Sequence, residues 1–148
     1  NTSVTSSFLG ISTRGMVSYG QPMYGGIDVL GSGKKKIAFF GRGASMENVT
    51  NYVTDPIISI YKDTTGNEDW EFVTTNDNWG TLEETGGTYS LESISTVSSS
   101  PGVTMPTSAT ESGVVLTVDA GFRYGAILSS SSGLAQDAII EAYEIDSE

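Results

Sequence analysis

The 148 residues include no histidine and no cysteine. That removes the Ser-His-Asp and Cys-His nucleophilic systems, imidazole and thiolate metal sites, and the general base that titrates nearest neutral pH. It also removes any disulfide framework. Gly43-Ala44-Ser45-Met46-Glu47 lacks the second glycine of a nucleophile elbow. Lys34-Lys35-Lys36 precedes Gly41 and Gly43, the reverse of the order in a phosphate-binding loop. A carboxylate pair for glycoside hydrolysis is the one mechanism whose residue types are present, and no pair is marked out for it. The chain reads as a non-enzyme with no catalytic residues.

Binding chemistry has more candidates. Asn76, Asp77 and Asn78, with Asp55 or Glu83, offer hard oxygen ligands of the kind calcium takes. Against a calcium site, the spacing of a calcium-binding hand is absent. An Asx-type turn with Trp79 packed beneath accounts for the same residues. Trp70, Trp79, Tyr19, Tyr24, Tyr52 and Tyr61 are aromatic enough for a sugar-stacking platform or for ordinary packing in a sandwich. Asn48-Val49-Thr50 and Asn1-Thr2-Ser3 match the glycan acceptor pattern, making Asn48 the glycosylation candidate. Lys34-Lys35-Lys36 suits a solvated hairpin tip or a contact to a neighbour's acidic end.

Charge narrows the partners. Seven basic residues face 18 acidic ones, a formal net charge of −11. Nucleic acid, which needs a basic surface, is excluded as a partner. Copies of the chain repel one another unless their charges are paired, screened or bridged by cations such as calcium. No apolar run approaches the length of a membrane span. The uncharged Ser/Thr-rich start at Asn1 reads as a mature end left by signal-peptide removal, so the expected location is extracellular or at the cell surface.

The elements that would position these residues are strands. The length suits one domain, residues 1–148. Glycine is abundant at 18 residues and the hydrophobic period is two. Val114, Leu116 and Val118 share a face, as do Phe122, Tyr124, Ala126 and Leu128, and Trp70 with Phe72. Gly31-Ser32-Gly33 predicts a hairpin between the runs at 23–30 and 35–40. Asp119-Ala120-Gly121 predicts a tight turn between two strands. Residues 63–67 link the runs at 57–62 and 70–75. Residues 95–112, with Pro101 and Pro106, read as a long exposed loop. A short helix is the expectation over residues 44–52. The fold class is all-β, a two-sheet antiparallel sandwich, immunoglobulin-like or jelly-roll-like, of about eight to ten strands. Its predicted core is Ile37, Phe39, Ile58, Ile60, Trp70, Phe72, Val114, Leu116, Val118, Phe122, Tyr124, Leu128, Ile140 and Tyr143.

The order of short motifs adds a resemblance. Ile11-Ser12-Thr13-Arg14-Gly15 opens the chain, Asn76-Asp77-Asn78-Trp79 lies mid-way, and Ile140-Glu141-Ala142-Tyr143-Glu144-Ile145-Asp146 closes it. This resembles a β-sandwich module of secreted and surface proteins in environmental bacteria, with an "ISTRG" opening, an "NDNW" motif and a "VEVYDLD"-like last strand. The resemblance implies an exported sandwich and no activity. Where that module carries an "IRALGPSL"-like segment, this chain has residues 37–46, IAFFGRGASM.

Two functions follow as expectations. The first is a structural subunit of an extracellular filament or surface assembly, partnered by copies of itself. Residues 1–13 would act as a donor strand, with Val4 and Phe8 on one face and Leu9 and Ile11 on the other. The second is a carbohydrate-binding or adhesion module of a larger secreted protein, partnered by a glycan. Calcium is the one cofactor either reading admits.

Overall fold

The computed structural model describes residues 10–82, 89–100 and 102–145. Among these residues nine strands run β1 Ile11–Val17, β2 Met23–Asp28, β3 Lys34–Arg42, β4 Pro56–Asp63, β5 Trp70–Asn76, β6 Leu91–Ser93, β7 Ser112–Asp119, β8 Arg123–Ser130 and β9 Gln136–Ile145. They form a five-stranded sheet, β1-β9-β3-β7-β6, packed on a four-stranded sheet, β2-β8-β4-β5. Every strand pair is antiparallel. The expected sandwich is present. Pairings nest from the ends inward, β1 with β9, β2 with β8, β3 with β7, and β4 with β5. That is the path of a jelly roll, one long hairpin rolled over itself, with β6 added at an edge.

The nesting corrects one expectation. β2 and β3 do not form a hairpin across Gly31-Ser32-Gly33, because they lie in opposite sheets. β7 and β8 likewise change sheets at residues 119–121. The two corners hydrogen-bond to each other, with the Ala120 amide donating to the Gly33 carbonyl at 2.9 Å and the Val29 amide to the Phe122 carbonyl at 3.0 Å. Gly31, Gly33 and Gly121 take positive φ there, which glycine adopts without a Cβ penalty. The glycines mark where the chain turns, but the sheet that receives the next strand depends on partners far along the sequence. Residues 63–69 do close a hairpin, β4 to β5. The Asp63 carboxylate holds it by accepting from the amides of Thr65, Gly66 and Glu68.

Ten of the predicted core residues are buried between the sheets: Ile37, Phe39, Ile58, Ile60, Val114, Leu116, Val118, Tyr124, Leu128 and Ile140. Trp70 and Phe72 are not core, at 43% and 38% exposed. A bulge explains this. Ile60 pairs with Thr74 and Tyr61 with Phe72, so Val73 is the extra residue. Val73 fills the core, and the Trp70/Phe72 face points outward. Phe122 and Tyr143 are half-buried. Phe122 lies at the core edge with the Lys62 ammonium 4.0 Å above its ring. Tyr143 packs edge-on to Phe40 on the outer side of the five-stranded sheet.

That outer side carries a second core, which corrects the reading of residues 95–112 as an exposed loop. Ala38, Phe40, Val115, Ile94 and Val97 are buried there, with Trp79, Val103, Met105 and Tyr143 packed against them. Ile94–Val97 forms a single 3-10 turn, and the segment after it lies over the sheet. Its end is anchored by Glu111, 0% exposed, whose carboxylate accepts from the amides of Gly43, Ser45, Thr107 and Ser108 and from Ser45 Oγ. The expected helix over residues 44–52 is absent. Those residues form turns, and Asn48 sits at φ 58°, outside the helical region. Gly43 is required before them, since a Cβ there would lie 1.7 Å from the Val53 carbonyl oxygen.

Two substitutions separate the faces of the sandwich. Phe39→Ala empties a core site and is expected to cost about 3–5 kcal/mol in urea unfolding. Phe72→Ala removes a partly solvated ring and is expected to cost about 1 kcal/mol. Equal losses would refute the assigned direction of β5.

Candidate functional site

The outer side of the four-stranded sheet has no such cover among the described residues. Register sets its side chains in rows. Tyr24, Ile127, Ser59 and Thr75 form one row, Gly26, Gly125, Tyr61 and Phe72 the next, and Asp28, Arg123, Asp63 and Trp70 the third. Two facing glycines in mid-sheet remove two side chains and leave a trough. The Trp70 indole reaches across the sheet to this trough, where a Cβ on Gly125 would sit 3.2 Å from its ring. Tyr61 and Phe72 pack edge-on behind it, centroids 5.6 Å apart. The result is a mainly apolar groove of about 560 Å³ lined by Tyr24, Gly26, Tyr61, Trp70, Gly125 and Arg123, among others.

At one end of the groove Arg123 and Asp28 form a fixed polar pair, Nε to Oδ1 at 2.8 Å and Nη2 to Oδ2 at 3.4 Å. Hydrogen bonding from Arg123 holds the Asp28 carboxyl below its ordinary value, and Asp28 in turn raises the guanidinium. Both therefore stay charged at neutral pH. An aromatic wall, an open floor and a polar pair at the rim make up the usual composition of a small-ligand cleft.

Of the six aromatics singled out in the sequence, Tyr24, Tyr61 and Trp70 meet here. Trp79 packs in the second core and donates its indole N–H to the Ser108 carbonyl at 2.9 Å. Tyr19 lies on the β1–β2 turn, and Tyr52 bridges to Asp137. Gly26, Gly125, Phe72, Arg123 and Asp28 were not foreseen. A glycine inside a strand marks a close approach of some other group, so Gly26 and Gly125 were the available signal.

The proposed calcium ligands are placed as follows. Asn76 is 1% exposed. Its side chain accepts from the Gly113 amide at 2.9 Å and donates to the Thr81 carbonyl at 2.7 Å. Its amide group is thus engaged with backbone. Asp55 lies beside Asp77. Burial, and then the charge and hydrogen bond of Asp77, raise the Asp55 carboxyl above its ordinary value. The Asn78 carbonyl accepts from the Thr81 amide. Glu83 is outside the described residues. Among those that are described, no three acidic side chains gather as a metal cluster.

Val4, Phe8 and Leu9 of the expected donor strand, and the acceptor Asn1, also lie outside the described residues. Ile11 opens β1 opposite Ala142 of the same chain. Asn48 is exposed on its turn. Lys34, Lys35 and Lys36 pair with Asp119, Glu144 and Glu92 of their own chain. Among the described residues no helix is long and apolar enough to cross a membrane. No family model, no curated protein and no solved structure matches the chain.

Acid should weaken this fold. Hydrogen bonds from Lys34 and Lys62 hold the Asp119 carboxyl low. Burial works against the Asp63 charge, yet its backbone amides together outweigh it. Carboxyls lowered in the folded state stabilise it above their unfolded value near 3.8, and lose that contribution as pH falls through the lowered folded values. Asp55 has the opposite sign, so its charge costs stability at neutral pH. Thermal melts should show a falling midpoint below about pH 5, a shallower fall in Asp119→Asn, and a higher neutral-pH midpoint in Asp55→Asn.

Proposed function

We propose that this chain is a non-catalytic extracellular binding module that holds carbohydrate in the groove of the four-stranded sheet. The observation that carries the reading is Trp70, an indole 43% exposed over a glycine floor on the outer face of the four-stranded sheet. Large exposed aromatic surface is uncommon in a soluble domain without a partner. A sugar ring presents an apolar C–H face that suits the indole and hydroxyls that suit the Asp28–Arg123 pair. Binding by titration calorimetry against an oligosaccharide panel tests this. Trp70→Ala should weaken binding at least about tenfold while unfolding remains cooperative. Unchanged affinity in Trp70→Ala would remove the groove as the site.

A second reading keeps the chain as a self-assembling structural subunit of a filament or surface layer. It is favoured by β1, an edge strand whose Ile11 and Met16 are 38% and 56% exposed. Such an edge offers unpaired backbone groups to a strand from another copy, and the segment with Val4, Phe8 and Leu9 is uncharged and free of proline. Calcium or salt would relieve the −11 charge carried by each copy. Electron microscopy of a variant lacking residues 1–8 tests it, dispersed monomers being expected. Full-length filaments from that variant would end the donor-strand idea.

A further inference from the structure

The chemical class of the groove's ligand follows from where the charges lie. The chain has seven basic residues. Arg14 pairs with Asp137, Lys34 and Lys62 with Asp119, Lys35 with Glu144, Lys36 with Glu92, Arg42 with Glu141 and Arg123 with Asp28. Each of these seven basic side chains thus lies within ion-pair distance of a carboxylate of its own chain. The groove itself holds one, Arg123, and the Asp28 carboxylate occupies two edges of its guanidinium. Asp63 stands on the other side of Arg123 in the register.

The carboxylates are distributed differently. The β4–β5 hairpin that presents Trp70 carries Asp63, Glu68 and Asp69; among the described residues none of the three lies within ion-pair distance of a cation, and the charges of Asp63 and Glu68 act on Arg123 from beyond that distance. Asp69 immediately precedes Trp70, whereas Glu71 lies on the opposite side of the sheet beside Tyr89 and Lys62. An anionic sugar stacked on the indole would approach the three hairpin charges with no free cation to receive its carboxylate or sulfate. Displacing Asp28 from Arg123 would only exchange one anion for another and leave Asp28 unpaired.

We propose that the groove is selective for uncharged oligosaccharides and excludes uronic-acid and sulfated ones. The proposal rests on the glycan reading above and names its ligand class. Hydroxyls satisfy the geometry, since they donate to Asp28 and accept from the remaining Arg123 N–H groups without breaking the pair. Like-charge contact is a common way to reject a wrong partner.

The test uses the intact chain, with Trp70 fluorescence and calorimetry at low salt. The probes are neutral gluco-, xylo- and manno-oligosaccharides, with oligogalacturonate and sulfated oligosaccharides of matched length. At least one neutral series should bind, and its binding should be lost in Trp70→Ala. Acidic probes should bind roughly tenfold or more weakly, and the gap should narrow as salt screens the repulsion. Glu68→Gln with Asp69→Asn, which leaves the groove lining intact, should narrow it too. An acidic probe that binds as tightly as the neutral ones, and loses binding in Trp70→Ala, overturns the selectivity while leaving the glycan reading standing. If no probe of either class binds in the groove, the glycan reading falls and the selectivity with it.

Discussion

Glu111 is a carboxylate with no solvent exposure, and the cover over the five-stranded sheet depends on it. A buried anion costs several kcal/mol unless fixed dipoles replace its water. Here the replacement comes from four backbone amides and a serine hydroxyl, drawn from residues 43–45 and 107–108. Ser45 Oγ also accepts from Arg42 Nη1. Arg42 pairs with Glu141 on β9, donates to the Thr104 carbonyl and stacks 4.2 Å over Phe40. One connected set of charges and dipoles therefore ties a polar segment down over the five-stranded sheet. The other sheet has no equivalent anchor among the described residues, and its outer side is the one that holds the groove.

The strands were legible because period two is a local property. Val114, Leu116 and Val118 point inward as their alternation required, and so do Tyr124, Ala126 and Leu128. Alternation also put Trp70 and Phe72 on one face, correctly. It could not say which face, because that depends on Val73 being extra opposite β4. The same limit applies at Gly31-Ser32-Gly33, where turn chemistry is local but sheet membership is not. Residues 95–112 read as exposed because serine and threonine outnumber the apolar residues there. The few apolar ones, Val97, Val103, Met105 and Pro106, were enough to fix where the segment packs.

The candidate site was legible only in part, for a similar reason. Its aromatics are visible in the sequence as residue types. Its shape comes from Gly26 standing opposite Gly125, a pairing of positions about a hundred residues apart. The net charge was likewise a sum available from composition, whereas the pairing of every cation is a matter of geometry. Lys34, Lys35 and Lys36 illustrate this. In the sequence they are a basic patch, and in the fold each meets an acid on another strand of the same five-stranded sheet.

The nested strand order bears on how the chain acquires its shape in time. β9 is the last of the nine strands to be synthesised, yet it sits inside the five-stranded sheet between β1 and β3. Neither β1 nor β2 has a partner in its own sheet until β9 and β8 exist. Closing loops this long is slow, because the entropy is lost before the contacts form. A partial chain emerging from the ribosome would hold only pairs of consecutive strands, β4 with β5 and then β6 with β7, as local units. The sandwich thus stays open until β8 and β9 arrive, and then closes as a whole.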